Sequence, residues 1–177
     1  MKVEGVENLA AADFTPLPLS SDLEGIGTLT TSHALVNRLI ENVRWSCRDN
    51  FIDVPTDCPQ RDERMGWTGD AQVFAPTAGL MLDTKPFYAK YLHDIASEQT
   101  ARSGAVPNVV PAFGMQGCSS VWGDAATIIP WTVYEQTGDT AILTAQYESM
   151  KAWVNYITMV DGDTCHWRDV FHYGDWL

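Results

Sequence analysis

The chain has 177 residues, of which 45% are hydrophobic and 19% are charged, and its net charge at neutral pH is −12. These values predict one folded domain with a hydrophobic core and exclude a disordered chain. The charge argues against binding to nucleic acid or to an anionic membrane surface, because both require clustered Lys and Arg side chains. No apolar run approaches the length of a membrane span.

The cysteines lie far apart in the sequence, at Cys47, Cys58, Cys118 and Cys165. Their spacing contains no CxxC pair and no Cys/His ligand pattern, which argues against a structural zinc site. Since no signal peptide is evident either, we expect reduced thiols in a cytoplasmic protein.

Apolar spacing, capping residues and turn signals predict five helices after an N-terminal strand and linker that occupy residues 1–30. The helices are predicted at residues 31–50, from Thr68 onward, and at 85–101, 123–136 and 141–159. Residues 31–177 would thus form the main domain, with all-α structure.

Each predicted helix carries an apolar stripe that should face the core. Leu35, Val36, Leu39, Ile40 and Val43 form the first stripe, and Val73, Phe74, Ala78 and Leu82 the second. Tyr88, Tyr91, Leu92 and Ile95 form the third, and Leu143, Tyr147, Met150, Val154 and Ile157 that of the last helix. Trp131 and Trp153 fall inside helices and are also predicted to be core residues.

Long loops alternate with short turns along this series of helices. Such alternation indicates helical hairpins whose long loops all emerge at one end of the domain. The loops 53–67, 117–124 and 166–177, which are rich in carboxylates and Trp, are therefore predicted to converge.

The first of these loops leads into a run, residues 57–70, that combines four carboxylates with an indole. Asp57, Asp62, Glu63 and Asp70 could provide the paired carboxyl groups that glycoside hydrolysis requires, and Trp67 could stack on the apolar face of a sugar. An alternative is that Asp62 and Glu63 only form surface ion pairs with the neighbouring arginines, Arg61 and Arg64. A ring of carboxylates could also hold a cation, and calcium would suit all-oxygen ligands, but no EF-hand spacing supports this.

The other two loops repeat the combination of indole, glycine and carboxylate. Trp122-Gly123-Asp124 has this order, and Gly174-Asp175-Trp176 has the reverse order. His166, His172 and Tyr173 are further candidates for ligand contact, although a lone His more often packs or faces solvent.

The run from Asp57 to Gln72, DCPQRDERMGWTGDAQ, closely resembles the signature of bacterial α-L-rhamnosidases of glycoside hydrolase family 78. The segments NFIDVPT (50–56), GAVP (104–107), WGDAA (122–126) and YGDWL (173–177) are similar to the same family. The resemblance extends from about residue 20 to the end of the chain.

The resemblance implies an (α/α)6 barrel, the six-hairpin glycosidase fold, that releases terminal L-rhamnose from rhamnosides with inversion of configuration. Glu63 would be the general acid, and Asp57 and Asp70 would bind the rhamnose hydroxyls. The remaining implied site residues are Arg61, Trp67, Trp122, Asp124, Asp175 and Trp176. No metal or cofactor is implied, and the partners would be rhamnose-containing glycosides or oligosaccharides.

The chain departs from the family pattern in size. An (α/α)6 barrel has twelve helices, and five are predicted here, so the chain is expected to represent about half of the barrel. Residues 1–30 would lead in from a missing β domain, and the family's general base, a Glu, would lie beyond Leu177. An alternative is therefore a truncated, non-catalytic helical segment with weak sugar binding, and another is an (α/α)6 glycosidase with a different sugar preference. A half barrel would expose apolar helix faces, which predicts self-association.

Overall fold

The structure, a computed structural model, describes residues 3–114, 117–164, 166–168 and 170–174. Within these ranges the chain forms five α-helices: α1 (Ala34–Asn50), α2 (Thr68–Gly79), α3 (Lys85–Thr100), α4 (Ala125–Thr137) and α5 (Ala141–Asp161). Each bound that was predicted lies within three residues of the observed one, and the all-α class is confirmed. None of the described helices combines the length and the apolar character needed to cross a membrane.

The strand predicted near the N-terminus is absent from residues 3–30. This segment contains only a 3-10 turn, Ala11–Asp13, and one isolated bridge between Gly25 and Leu82. A lone extended segment without a partner leaves its backbone N–H and C=O groups unpaired, so an alternating pattern alone does not make a strand. A short antiparallel hairpin that was not predicted, β1 (Phe51–Ile52) and β2 (Val54–Pro55), follows α1 directly.

The core is organised around α4, which packs against α2, α3 and α5. Small side chains on α2 (Ala71, Ala75 and Ala78) and on α4 (Ala125 and Ala126) are buried, so these two helices can approach closely. The predicted stripe of α3 is confirmed, since its four residues Tyr88, Tyr91, Leu92 and Ile95 are all fully buried. The β-hairpin joins this core because the ring of Phe51 stacks on that of Phe87, with centroids 4.4 Å apart.

Several predicted apolar faces were wrong. On α5 the fully buried residues are shifted by one position from the predicted stripe, to Ile142, Gln146, Ser149 and Trp153. Of the predicted stripe, Leu143 and Ile157 pack against the core and are partly buried, whereas Tyr147 and Val154 are exposed. Polar Ser149 is acceptable in the core because it exchanges hydrogen bonds with buried Gln99 of α3. On α1 only Cys47 is buried, and the predicted core residues Leu35, Val36 and Leu39 are exposed. Val73 of α2 and Trp131 of α4 were also predicted to be core residues and are exposed.

The connections between helices follow the predicted alternation. Short connections, residues 80–84 and 138–140, join α2 to α3 and α4 to α5, whereas long loops, 51–67 and 101–124, precede α2 and α4. Gly138 ends α4 in the left-handed region, with φ of 71°, and its N–H bonds back to the Tyr134 carbonyl, which makes this turn tight. The two long loops therefore lie at the same end of the α2–α3 and α4–α5 hairpins.

Candidate active site

The loop that carries Glu63 is fixed where it meets α2. Trp67 forms a β-bridge with Val109, and the Gly66 carbonyl accepts hydrogen bonds from the Val110 N–H and the buried Tyr91 hydroxyl, both at 2.9 Å. A Cβ on Gly66 would overlap the Val110 carbonyl, so this close approach of two backbones requires glycine. The segment just after Glu63 is thus held firmly to the chain around residue 110.

Asp70 lies in the first turn of α2, whose start is anchored by buried Thr68. The Thr68 N–H and hydroxyl both bond to the Asn108 carbonyl, at 2.9 and 3.1 Å. Burial raises the pKa of the Asp70 carboxyl, and the nearby charge of Asp57 adds to this, while a backbone hydrogen bond within Asp70 opposes it. Asp70 is therefore a partly desolvated acid beside a second acid, an arrangement common in active sites.

Six of the predicted site residues line one pocket with a volume of about 150 Å³. They are Asp57, Arg61, Glu63, Trp67, Asp70 and Trp122. The pocket is smaller than the 300–1,000 Å³ or so that is typical for drug-sized ligands, which favours a ligand such as a single sugar ring. It offers carboxylates and a guanidinium for hydroxyl groups and two indoles for an apolar ring face.

The carboxylates in this pocket have close polar neighbours. The Cys58 thiol donates to Asp57 at 3.0 Å, and Arg61 Nη1 lies 3.5 Å from Glu63 Oε1. This contact joins a guanidinium to the carboxylate that is predicted to be the general acid. The ion pair is weak, however, because the Arg61 side chain is 66% exposed to water.

Asp57, Cys58 and Glu63 are also the one group among the described residues whose ligand atoms are close enough to share a metal ion, within 4.8 Å of one another. Burial raises the pKa of the Cys58 thiol, and its hydrogen bond to Asp57 and the charge of that carboxylate raise it further. Since the Cys58 thiol donates to Asp57, we assign these side chains to hydrogen bonding.

The three predicted loops do converge, and aromatic rings mark where they meet. The ring of Tyr173 lies 4.2 Å from Trp122 and 6.1 Å from Trp67, measured between centroids. Trp122 in turn packs over Gly69 of α2, where a Cβ would lie 2.9 Å from indole atoms. Gly69 thus leaves space beside α2 for the indole of Trp122, which belongs to a different loop.

Asp124 does not line the pocket but fixes the turn that presents Trp122. Its Oδ1 accepts from the indole N–H of buried Trp153 at 2.8 Å, and its Oδ2 accepts from the Val121 N–H at 3.0 Å. Trp153, predicted as core, is 1% exposed and adds this polar contact. Two other predicted site residues, Asp175 and Trp176, lie outside the described residues.

A larger cavity of about 430 Å³ adjoins this pocket and shares Asp57, Asp70 and Trp122 with it. Its remaining lining is mostly apolar and comes from the end of α1, the β-hairpin and α2, including Phe51 and Phe74. The shared residues therefore form a wall with a polar pocket on one side and an apolar cavity on the other.

The family model for the bacterial alpha-L-rhamnosidase six-hairpin glycosidase domain matches residues 24–177. The chain belongs to this family. The match runs through the whole pocket and all five helices, so the rhamnosidase resemblance of the Asp57–Gln72 run is confirmed at the level of the domain.

Individual rhamnosidases support the same relationship. An alpha-L-rhamnosidase of Formosa agariphila is 46% identical over 152 residues, which is 85% of this chain and 16% of that protein. The structure of a Streptomyces avermitilis alpha-L-rhamnosidase, complexed with L-rhamnose, superposes with a TM-score of 0.81 at 38% identity and covers 89% of this chain and 15% of that one. A native rhamnosidase structure from Aspergillus terreus gives a TM-score of 0.74 at 45% identity, over 77% of this chain and 16% of that one. The chain thus spans less than a fifth of the length of the relatives it matches.

Proposed function

We propose that the pocket lined by Glu63, Asp57 and Asp70 binds a terminal α-L-rhamnose and donates a proton to its glycosidic oxygen. The protein would then act on rhamnose-containing glycosides or oligosaccharides as a glycoside hydrolase. The observation that carries the proposal is the single pocket into which separate loops bring carboxylates, a guanidinium and two indoles. The Streptomyces avermitilis relative, whose structure contains L-rhamnose, supports the choice of sugar.

Glu63 would be the proton donor. It lies at the pocket wall with its side chain 31% exposed, so a proton can reach it from solvent. A bound sugar would offer hydroxyl groups to Arg61, whose exposed guanidinium lies 3.5 Å from Glu63.

Asp57 and Asp70 would accept hydrogen bonds from sugar hydroxyls, and Trp67 and Trp122 would contact the ring. Hydrogen bonds to a carboxylate are stronger than neutral ones, which would help to offset the desolvation of Asp70. The partly desolvated Asp70 carboxylate would thus be better satisfied with a sugar bound.

We propose an inverting mechanism in which Asp57 is not the residue that activates water. An inverting pair needs about 6.5–9.5 Å between its carboxyl groups to leave room for a water molecule. Asp57 and Glu63 have oxygens within 4.8 Å of each other, which is too close for that water. Asp57 is therefore assigned to hydroxyl binding.

The test measures binding and turnover separately. L-rhamnose binding is followed by saturation-transfer NMR, and turnover is followed with an aryl α-L-rhamnoside, for Glu63→Gln and for the control Glu135→Gln on the exposed side of α4. We expect Glu63→Gln to keep sugar binding and to lower any turnover by about 10²- to 10⁴-fold, as for loss of a general acid. The control should leave both unchanged.

Each alternative outcome has a distinct meaning. Binding without turnover in the unmodified chain would favour the non-catalytic alternative, a sugar-binding helical segment. Preference for a different sugar would favour another (α/α)6 glycosidase. Absence of binding to any monosaccharide would refute the pocket assignment.

We also propose that the exposed face of α1 promotes self-association. Leu35 and Leu39 are 75% and 60% exposed on one side of a helix that buries only Cys47. Contiguous apolar surface of this kind favours contact with other protein surface. Sedimentation velocity should show oligomers that Leu35→Gln/Leu39→Gln reduces, and a monomeric unmodified chain at high concentration would contradict the proposal.

A further inference from the structure

Asn108 lies beneath the aromatic wall of the pocket and is 4% exposed. Its carbonyl accepts from the Thr68 N–H and hydroxyl, and its N–H donates to the Gly117 carbonyl at 2.9 Å. Its side-chain Oδ1 accepts from the Ser119 hydroxyl at 2.8 Å, and Nδ2 donates to the Tyr173 hydroxyl at 3.3 Å. Through its backbone and its side chain together, this one buried residue is thus hydrogen-bonded to three separate chain segments.

Each of those segments carries one ring of the wall. Thr68 directly follows Trp67, the loop 117–121 leads into Trp122, and Tyr173 touches both indoles. The Ser119 carbonyl also accepts from the Gly123 N–H at 2.9 Å, so the turn around Trp122 is tied to the residue that Asn108 holds. All three rings lie on loops or at a helix start, so the hydrogen bonds of Asn108 act where the chain leaves regular structure.

We propose that Asn108 is a positioning residue for the sugar pocket, which sets the relative placement of Trp67, Trp122 and Tyr173. The proposal rests on the function proposed above, because that function gives these rings a ligand. Asn108 does not line the pocket itself and acts only through the residues it bonds. An amide side chain suits the role, because it provides the acceptor that Ser119 needs and the donor that Tyr173 needs at the same time.

The test compares Asn108→Ala with Ser119→Ala and with a matched control, Ser149→Ala. Ser119→Ala removes one side-chain bond and leaves the Asn108 backbone contacts in place, which guards against failure of Asn108→Ala to fold. Ser149→Ala removes a buried hydrogen bond to Gln99 between α3 and α5, away from the pocket. Thermal unfolding, near-UV circular dichroism and the affinity for L-rhamnose are measured for each variant.

We expect Asn108→Ala to weaken L-rhamnose binding roughly tenfold, about the effect of one buried hydrogen bond, and Ser119→Ala to weaken it less. Both should reduce the near-UV signal of the aromatic wall. Ser149→Ala should lower the unfolding temperature but leave the near-UV signal and the affinity unchanged.

Two results would overturn the proposal. One is a destabilised Asn108→Ala chain with an unaltered near-UV signal and affinity, and the other is an equal change in the Ser149→Ala control. If the unmodified chain binds no L-rhamnose, the proposed function fails instead, and the near-UV comparison alone then decides whether Asn108 positions the rings.

Discussion

Gly69→Ala provides a sharp test of how α2 and the Trp122 loop fit together. A Cβ at this position would lie 2.9 Å from Cε2 and Nε1 and 3.0 Å from Cδ1 of the Trp122 indole. Ordinary carbon contacts lie at about 3.5–4.0 Å, so either the indole or the helix must move by about 0.5–1 Å. Trp122 is only 8% exposed and lies against Tyr173, so it has little free space into which to move.

Two effects oppose each other in this substitution. Replacing Gly by Ala in a helix gains up to about 1 kcal/mol, and less in the first turn, where Gly69 lies. Overpacking a buried site costs about 1–3 kcal/mol. We therefore expect a net loss of about 1–2 kcal/mol in the free energy of unfolding, together with weaker L-rhamnose binding, because the displaced indole is a pocket wall.

The assay is urea unfolding followed by circular dichroism, combined with L-rhamnose titration. Gly25→Ala is the matched control, since a Cβ there meets no atom within 4 Å, and it should leave stability unchanged or raise it slightly. The double variant Gly69→Ala/Trp122→Phe should recover part of the lost stability, because Phe lacks the crowded pyrrole ring. A Gly69→Ala chain that is more stable than the original and binds sugar normally would refute the proposed packing.

Three further predictions concern polar groups of the core and of the pocket. Tyr91→Phe should cost about 1 kcal/mol, a fall of about 2–4 °C in the thermal unfolding midpoint, because the Gly66 carbonyl loses one of its two donors. Trp153→Phe should cost about 1–3 kcal/mol by chemical denaturation, because it leaves the Asp124 carboxylate without its indole donor. Asp70→Asn should raise the unfolding midpoint at pH 7 while it weakens sugar binding. The difference in stability between Asp70→Asn and the unmodified chain should disappear towards pH 3. The raised pKa of Asp70 lowers the stability of the folded state only above the ordinary pKa of 3.8, where the unfolded chain is ionised.

Each of these results can fail in a recognisable way. An unchanged midpoint for Tyr91→Phe would show that its hydroxyl does not hold the loop. A Trp153→Phe chain of normal stability would place Asp124 in a different hydrogen-bond network. If Asp70→Asn is less stable than the unmodified chain at pH 7, or if the difference does not depend on pH, burial of the Asp70 charge is not costly.

Local signals in the sequence were sufficient for the helices. Proline near the start of α3, glycine after α4 and runs of apolar residues act within a few positions of one another, so the helix bounds could be predicted closely. The motif from Asp57 to Gln72 also placed most of the pocket residues, because a dense run of carboxylates and an indole is informative without knowledge of its neighbours.

The faces of the helices could not be predicted in the same way. Periodicity along α5 allows more than one apolar stripe, and the choice between them depends on Gln99, which lies 50 positions away from Ser149 and makes its burial acceptable. The stripe of α1 is apolar, but no described part of the chain covers Leu35 or Leu39. Burial depends on which surfaces meet, and that is a property of the whole fold.

The sequence by itself therefore determined the class of fold, the positions of the helices and the chemical types of the site residues. The tertiary structure decided which of those residues share the pocket, since Trp122 reaches it across Gly69 while Asp124 turns towards Trp153. It also revealed Asn108, whose side chain carries no signal in isolation and whose role arises from contacts with Thr68, Ser119 and Tyr173. Such contacts join segments far apart in the chain, and only folding brings them within hydrogen-bonding distance.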